Sequence, residues 1–454
     1  MPRPSLVNGP VWKALIYLSA PMTLGIFAVL SVGIADAYFL GQVSEEALAA
    51  VGFIYPVTTA LTSLSIGLSA GANAAISQAI GRDDGEARIA RMSLHGLGLG
   101  LALSASVALV FYLVHPWLFG LMGARDAVLT EIKAYVPYWT LSFPLLVGLM
   151  VTNALFRAHG SAALASLFMI LGAVINLGLN PLLIFGYGTI PALGTEGAAL
   201  ATLIGRGIAV IAAVGFAVRA GYLKRCGALS KDLAHSIKRV TEVGAPAAFS
   251  NAVNPAGMAL VTAAVSRLGD AAIAGFGAAT RVQSIALVVL FALSSGIGPL
   301  VGQNWGAGEK DRARVAVLQS WLFCAIYGLA LGAVLFIFAD PIAKTIATQS
   351  DAAAYTAQYF RVVGWSIFGY GIVVTANAAM NARSKALHSM SVSIGRTFAI
   401  YLPCAWIGVI MFGFTGILGA AVLANVLGAV LAIIACRQTG LTPRIRRAPG
   451  LVWS

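Results

Sequence analysis

Long apolar stretches, broken by glycine, proline and charge, dominate this chain. A helical membrane span needs about 20 predominantly apolar residues. Twelve such stretches occur, near 14–40, 47–80, 92–122, 127–156, 161–186, 196–220, 238–267, 271–304, 314–339, 352–382, 387–412 and 416–437. No segment carries the ten-residue alternation of a transmembrane β-strand. The pattern therefore predicts an all-α integral membrane protein with twelve transmembrane helices. The first stretch is far longer than the apolar core of a cleavable signal, about 7–15 residues.

The stretches are written twice. At a shift of 225, Lys13, Ala20 and Pro21 recur as Lys238, Ala245 and Pro246. Leu68, Ser69, Gly71, Gln78 and Gly81 recur as Leu293, Ser294, Gly296, Gln303 and Gly306. With small gaps, Tyr135, Ser142, Asn153 and Ala158 meet Tyr359, Ser366, Asn377 and Ala382. Ala/Gly coincidence explains part of this; the Ala-Pro, Gln and Tyr matches are harder to dismiss. Six spans per half is an even number, so the repeats are parallel, related by an axis along the membrane normal. That is a transporter architecture, with sites near the repeat interface and alternating access by rocking. It divides the chain into an N-terminal lobe at 1–220, a polar linker at 221–237 and a C-terminal lobe with its tail at 238–454.

Composition agrees. Of 454 residues, 59% are hydrophobic and 10% charged, and mean hydropathy is +0.88. A soluble domain carries about 25% charged residues. The net charge of +13 would suggest nucleic acid in a soluble chain, but here it follows the loops. Arg3 and Lys13 precede the first span. Arg82, Arg88 and Arg91 follow the second, and Arg157 the fourth. Lys224, Arg225, Lys231, Lys238 and Arg239 crowd the middle, and Lys310, Arg312 and Arg314 follow the eighth span. Arg383 and Lys385 follow the tenth, while Arg437, Arg444, Arg446 and Arg447 end the chain. Loops after odd-numbered spans hold few: Arg125, Lys133, Arg267 and Lys344. The asymmetry places both termini in the cytoplasm. Cys226, Cys324, Cys404 and Cys436 show no metal-like spacing and read as small apolar residues.

Of 16 acids, Asp36 alone lies well inside an apolar run, about 33 Å along its helix from Ala14. An ionisable residue at membrane depth is a functional-site hypothesis by default. Its repeat counterpart is Val261, so the acid marks one lobe. Asn176 and Asn180 share a helix face at i, i+4. With Tyr135, Tyr138, Asn153 and Thr202 they offer neutral oxygens to a carboxylate or a sodium ion; interhelical hydrogen bonding is the plainer reading. Arg206 and Arg281 also interrupt apolar runs, and each should face the bundle interior or a wet cavity. Pro21 and Pro246 can kink the first helix of each lobe. Tyr55, Phe53, Phe143, Met150 and Phe276, with Arg281, are candidates to line a substrate cavity, or simply pack.

The chain resembles the multidrug and toxic compound extrusion family. The residues that carry the likeness are Ile34-Ala35-Asp36-Ala37-Tyr38-Phe39-Leu40-Gly41, Gln78-Ala79-Ile80-Gly81, Leu155-Phe156-Arg157-Ala158-His159-Gly160, Gly194-Thr195-Glu196-Gly197-Ala198-Ala199, and Gly302-Gln303-Asn304-Trp305-Gly306. The resemblance spans essentially the whole chain. It implies two six-helix lobes around a central cavity and cation-driven drug export across a bacterial-type inner membrane. Asp36 matches the family's coupling acid, with Tyr135, Asn153, Asn176, Asn180 and Thr202 at polar positions around it. One branch carries carboxylates in the seventh and tenth helices, where this chain has Asn254 and Tyr370. Another has aspartate in place of Asn180.

These readings predict a secondary antiporter, not an enzyme, exporting amphipathic, often cationic xenobiotics. The proton is the favoured coupling ion and sodium at Asp36 the alternative. No other cofactor or metal is expected, nor a nucleic-acid partner, and the monomer in its bilayer is the expected working unit. A flippase for a lipid-linked sugar is the alternative, and would need a strongly cationic cavity. A membrane enzyme would need clustered His, Asp or Glu, but His95, His115, His159, His235 and His388 are scattered.

Overall fold

The computed structural model describes residues 6–124, 126–189, 191–225, 227–347 and 350–442. Arg3, Arg125, Cys226, Arg444, Arg446 and Arg447 lie outside them. The first half contains α1 (Val11–Gly41), α2 (Glu45–Gly81), α3 (Glu86–Leu121), α4 (Asp126–Ala158), α5 (Ala162–Phe185) and α6 (Gly194–Arg219). The second contains α7 (Leu233–Val265), α8 (Asp270–Ala286), α9 (Val288–Gly306), α10 (Lys310–Ile337), α11 (Ala339–Ile346), α12 (Ser350–Val363), α13 (Ile367–Ala382), α14 (Ala386–Ile394) and α15 (Leu402–Gln438).

Among the described residues, nine helical stretches are long and apolar enough to cross a membrane singly. The pair α8 and α9, bent by 41°, makes a tenth. Two more complete the twelve predicted. One is α7, less apolar because it carries Lys238, Arg239, Glu242, Asn251 and Asn254. The other is hidden in the continuous stretch Ala386–Gln438. There Gly413 takes φ 60, ψ −137 and reverses the chain. Gly416 consequently lies against the carbonyl of Gly408, a contact that leaves no room for a Cβ. The protein is thus a multi-pass all-α membrane protein, two six-helix halves around a central cavity.

The polar segment between the halves is docked rather than loose. α7 begins at Leu233, inside the segment expected to be linker. His95 of α3 explains this: its ring nitrogens meet Ser236 Oγ at 3.0 Å and the Leu229 carbonyl at 2.7 Å. Arg91 pairs with Asp232 at 3.2 Å. Cys324 and Cys436 are buried and Cys404 half-buried, as small apolar residues would be.

The halves meet along a seam of α2 against α7 and α9, and of α1 against α9. Close approaches along it pair Ser19 with Gly296, Gly67 with Ala248, Gly71 with the Val240 carbonyl and Ser77 with Gly302, all toward one end of the bundle. At that end Gly81 abuts the Gln303 carbonyl and Gly306 abuts the Gln78 carbonyl. Backbones come this close only where side chains are absent. The repeated Gln and Gly residues of the sequence are therefore the two faces of one contact. Toward the other end Tyr55 of α2 is 67% exposed.

Candidate functional site

Asp36 lies in the second-last turn of α1, facing α5. Asn180 Nδ2 donates to Asp36 Oδ1 at 2.5 Å and to Asn176 Oδ1 at 3.2 Å. Asn176 Nδ2 donates to Thr202 Oγ1 at 3.0 Å, and Thr202 donates to the Ala198 carbonyl at 3.1 Å. The i, i+4 spacing of the asparagines makes this chain from α1 through α5 to α6. Asn176, Asn180 and Thr202 are buried. Asn180 Oδ1 has no hydrogen-bond partner, so one acceptor beside the carboxylate is free.

Arg206 and Tyr135 complete the surroundings. Both lie within electrostatic range of Asp36. The Arg206 guanidinium donates to Ser142 Oγ at 2.7 Å and lies 6.0 Å from the Trp139 ring. It is therefore held by α4 and forms no ion pair with Asp36 among the described residues. A second pair of acids, Glu131 and Glu196, lies between α4 and α6. Tyr138 donates to Glu196 at 2.5 Å, and Thr195 donates to Glu131.

Asn153 does not join this cluster. It sits 18 residues beyond Tyr135, about 27 Å along α4. It is fully buried, and neither amide atom is hydrogen-bonded. The resemblance put Asn153 near the acid; the rise of α4 puts it near the opposite end. The cavity candidates divide as well. Phe143 is fully buried and stacks on Trp139 at 5.5 Å, while Phe276 packs edge-on to Tyr359 at 5.8 Å. Both are packing residues in this conformation. Tyr55 and Arg281 are exposed, and Phe53 and Met150 half-buried. Pro21 leaves α1 unbroken, its carbonyl accepting from Ser166 Oγ at 2.5 Å; Pro246 lies within the equally continuous α7.

The second half holds a group that the sequence reading passed over. Arg396 lines a cavity of ≈ 190 Å³ between α7, α8, α12, α13 and the last two spans. Its Nη2 donates to Asn425 Oδ1 at 2.8 Å and its Nη1 to Asn254 Oδ1 at 3.3 Å. The guanidinium carbon lies 4.8 Å from the centre of the Tyr370 ring. Asn254 and Tyr370, noted for lacking carboxylates, are thus the partners of a fixed cation. The signal was available: Arg396 lies nine residues inside the predicted span 387–412, and no Asp or Glu follows Asp351.

A two-lobed helical bundle with a hydrogen-bonded carboxylate inside one lobe and a cavity in the other defines a polytopic membrane transporter. The MatE family model matches residues 21–182 and 246–407, ranges offset by the internal shift of 225. The chain belongs to that family, the multidrug and toxic compound extrusion transporters. It is 34% identical to a FAD transporter of Shewanella oneidensis, over 94% of each chain. It is 24% identical to the multidrug export protein MepA of Staphylococcus aureus, again over 94% of each. Among solved structures, the MATE transporter VcmN of Vibrio cholerae in its bent form superposes with TM-score 0.89 at 28% identity, over 94% of this chain and 96% of that one.

Proposed function

We propose that this protein is a cation-coupled exporter of amphipathic organic molecules, with Asp36 as the coupling site and the proton as the coupling ion. The observation that carries this reading is the Asn180–Asp36 hydrogen bond inside an apolar bundle. A carboxylate at low dielectric gains strongly from binding a cation, and its fixed partners are neutral. An arriving cation would compete with Asn180 for the carboxylate and so perturb the hydrogen-bonded chain that joins α1, α5 and α6. Sodium is the competing ion, since Asp36, the free Asn180 oxygen and Thr202 supply oxygen ligands.

The basic residues at the ends of α2, α4, α6, α9 and α13 and at the start of α1 support cytoplasmic termini in a bacterial-type inner membrane. The lobes would then be 1–220 and 238–454, with the seam closing the cytoplasmic end. A monomer contains the complete set of groups. For the cargo, the multidrug relative favours xenobiotics, and the 34% identical FAD transporter favours a flavin nucleotide as second reading.

Transport into inverted vesicles under imposed pH or sodium gradients tests the proposal. Uphill export should require the proton gradient and vanish in Asp36→Asn. Full gradient-driven transport by Asp36→Asn would refute coupling at this residue.

A further inference from the structure

We infer that the second-lobe cavity is an anion subsite, in which Arg396 takes the phosphate or carboxylate of an aromatic cargo. This deepens the export reading above, on which it rests for the word cargo.

Arg396 is held by two asparagine oxygens and one ring face, all neutral. The acids of this half are Glu242, Asp270, Glu309, Asp311, Asp340 and Asp351, each near a helix start. The nearest in sequence to a cavity residue is Asp351, eight residues before Tyr359, about 12 Å along α12. A charge at this depth pairs with another charge or serves a pathway. Here the pairing charge has to come from outside the chain.

Arg396 Nε has no hydrogen-bond partner, so the guanidinium fork retains donor capacity. Asn425 is oriented for it, donating to Ser366 Oγ at 2.8 Å and turning its own oxygen to the arginine. Arg396 also lies in a seven-residue π-helical stretch, Gly395–Tyr401. Such stretches are rare and concentrate at functional sites. The wider turn aligns residues five apart, and Arg396 and Tyr401 both line the cavity.

Drug-sized pockets span about 300–1,000 Å³, so a cavity of ≈ 190 Å³ admits a head group and part of a ring. Tyr359, Tyr370 and Phe291 supply aromatic walls beside the cation. A flat aromatic bearing phosphate or carboxylate satisfies both features. A cationic drug at this position would face a fixed like charge.

The test is equilibrium binding to the full-length protein in lipid nanodiscs, without any gradient. The probes are riboflavin and flavin mononucleotide, which share a ring system and differ by a phosphate. Wild type should hold the phosphorylated probe about 10–100-fold more tightly, the range for a charge-assisted hydrogen bond. Arg396→Gln should erase the difference, and Arg396→Lys should retain part of it. Asn254→Asp keeps the arginine but gives it an internal counter-ion, and should also erase the preference. Asp36→Asn should leave the preference intact, which separates this proposal from the coupling reading. Equal affinity of the two probes for wild type would overturn the subsite. So would a preference that survives both Arg396→Gln and Asn254→Asp.

Discussion

Gln78 and Gln303 hold the two halves together by the same bond made in opposite directions. Gln78 Nε2 donates to the Ala382 carbonyl at 2.6 Å, and Gln303 Nε2 donates to the Ala158 carbonyl at 2.7 Å. Each glutamine reaches from its own lobe to the last residue of a long helix in the other. Gln78 also donates to Ser384 Oγ at 3.0 Å. The sequence repeat thus meets itself across the seam.

Removing either donor should bias the transporter away from this closed seam. Gln78→Leu or Gln303→Leu strands a buried carbonyl, at a cost of about 1–3 kcal/mol. In a cysteine-free background carrying Tyr55→Cys, labelling by an impermeant maleimide from outside should fall severalfold in both variants. Unchanged labelling in both would exclude a latch.

The glycines beside them make a symmetric prediction. Gly81→Ala and Gly306→Ala each drive a methyl into the backbone carbonyl of the opposite glutamine. Overpacking of this kind costs about 1–3 kcal/mol. Both variants should lose transport to a similar degree, with lower melting temperatures. A large effect in one and none in the other would show that the halves do not share the seam equally.

Asn180 and Asn153 should behave oppositely despite carrying the same amide. Asn180→Leu removes the donor to Asp36, worth about 1.5–3 kcal/mol for a charged acceptor. Proton-driven exchange at a fixed gradient should drop about tenfold. Asn153→Leu removes a buried amide that bonds to nothing and should keep exchange while matching or raising the melting temperature. Loss of exchange in both, measured on equal amounts of folded protein, would mean that Asn153 acts on the site from a distance.

Gly413→Ala tests the reversal between the last two spans. A side chain at φ 60, ψ −137 is strained by about 1–3 kcal/mol. The expected result is a lower melting temperature with unchanged cavity binding. An unaltered melting curve would show that the turn relaxes.

The spans and the repeat were legible because both are written in local pattern: apolar length, interrupting charge and a constant shift. Asp36, Asn176, Asn180 and Thr202 were legible because polar residues are scarce in apolar helices. Asn153 misled because membership in a signature does not give height along a helix. Arg396 escaped because Ser389, Ser391 and Ser393 precede it, so its surroundings look like the edge of a span. Its depth follows from the π-helical stretch and from Asn254 and Asn425 on other helices, relations that no local window contains.

The two halves share one backbone plan, yet the carboxylate Asp36 of the first has Val261 as its counterpart in the second, where the guanidinium of Arg396 lines the cavity instead. Duplication alone would have produced twin binding sites that compete for the same ion. If the first half seats the driving ion and the second the cargo, as proposed above, neither need displace the other from a common seat. Communication between them then has to be mechanical, carried through the Gln78 and Gln303 seam. A substitution there would weaken the link between the two occupancies while leaving the residues of each site in place.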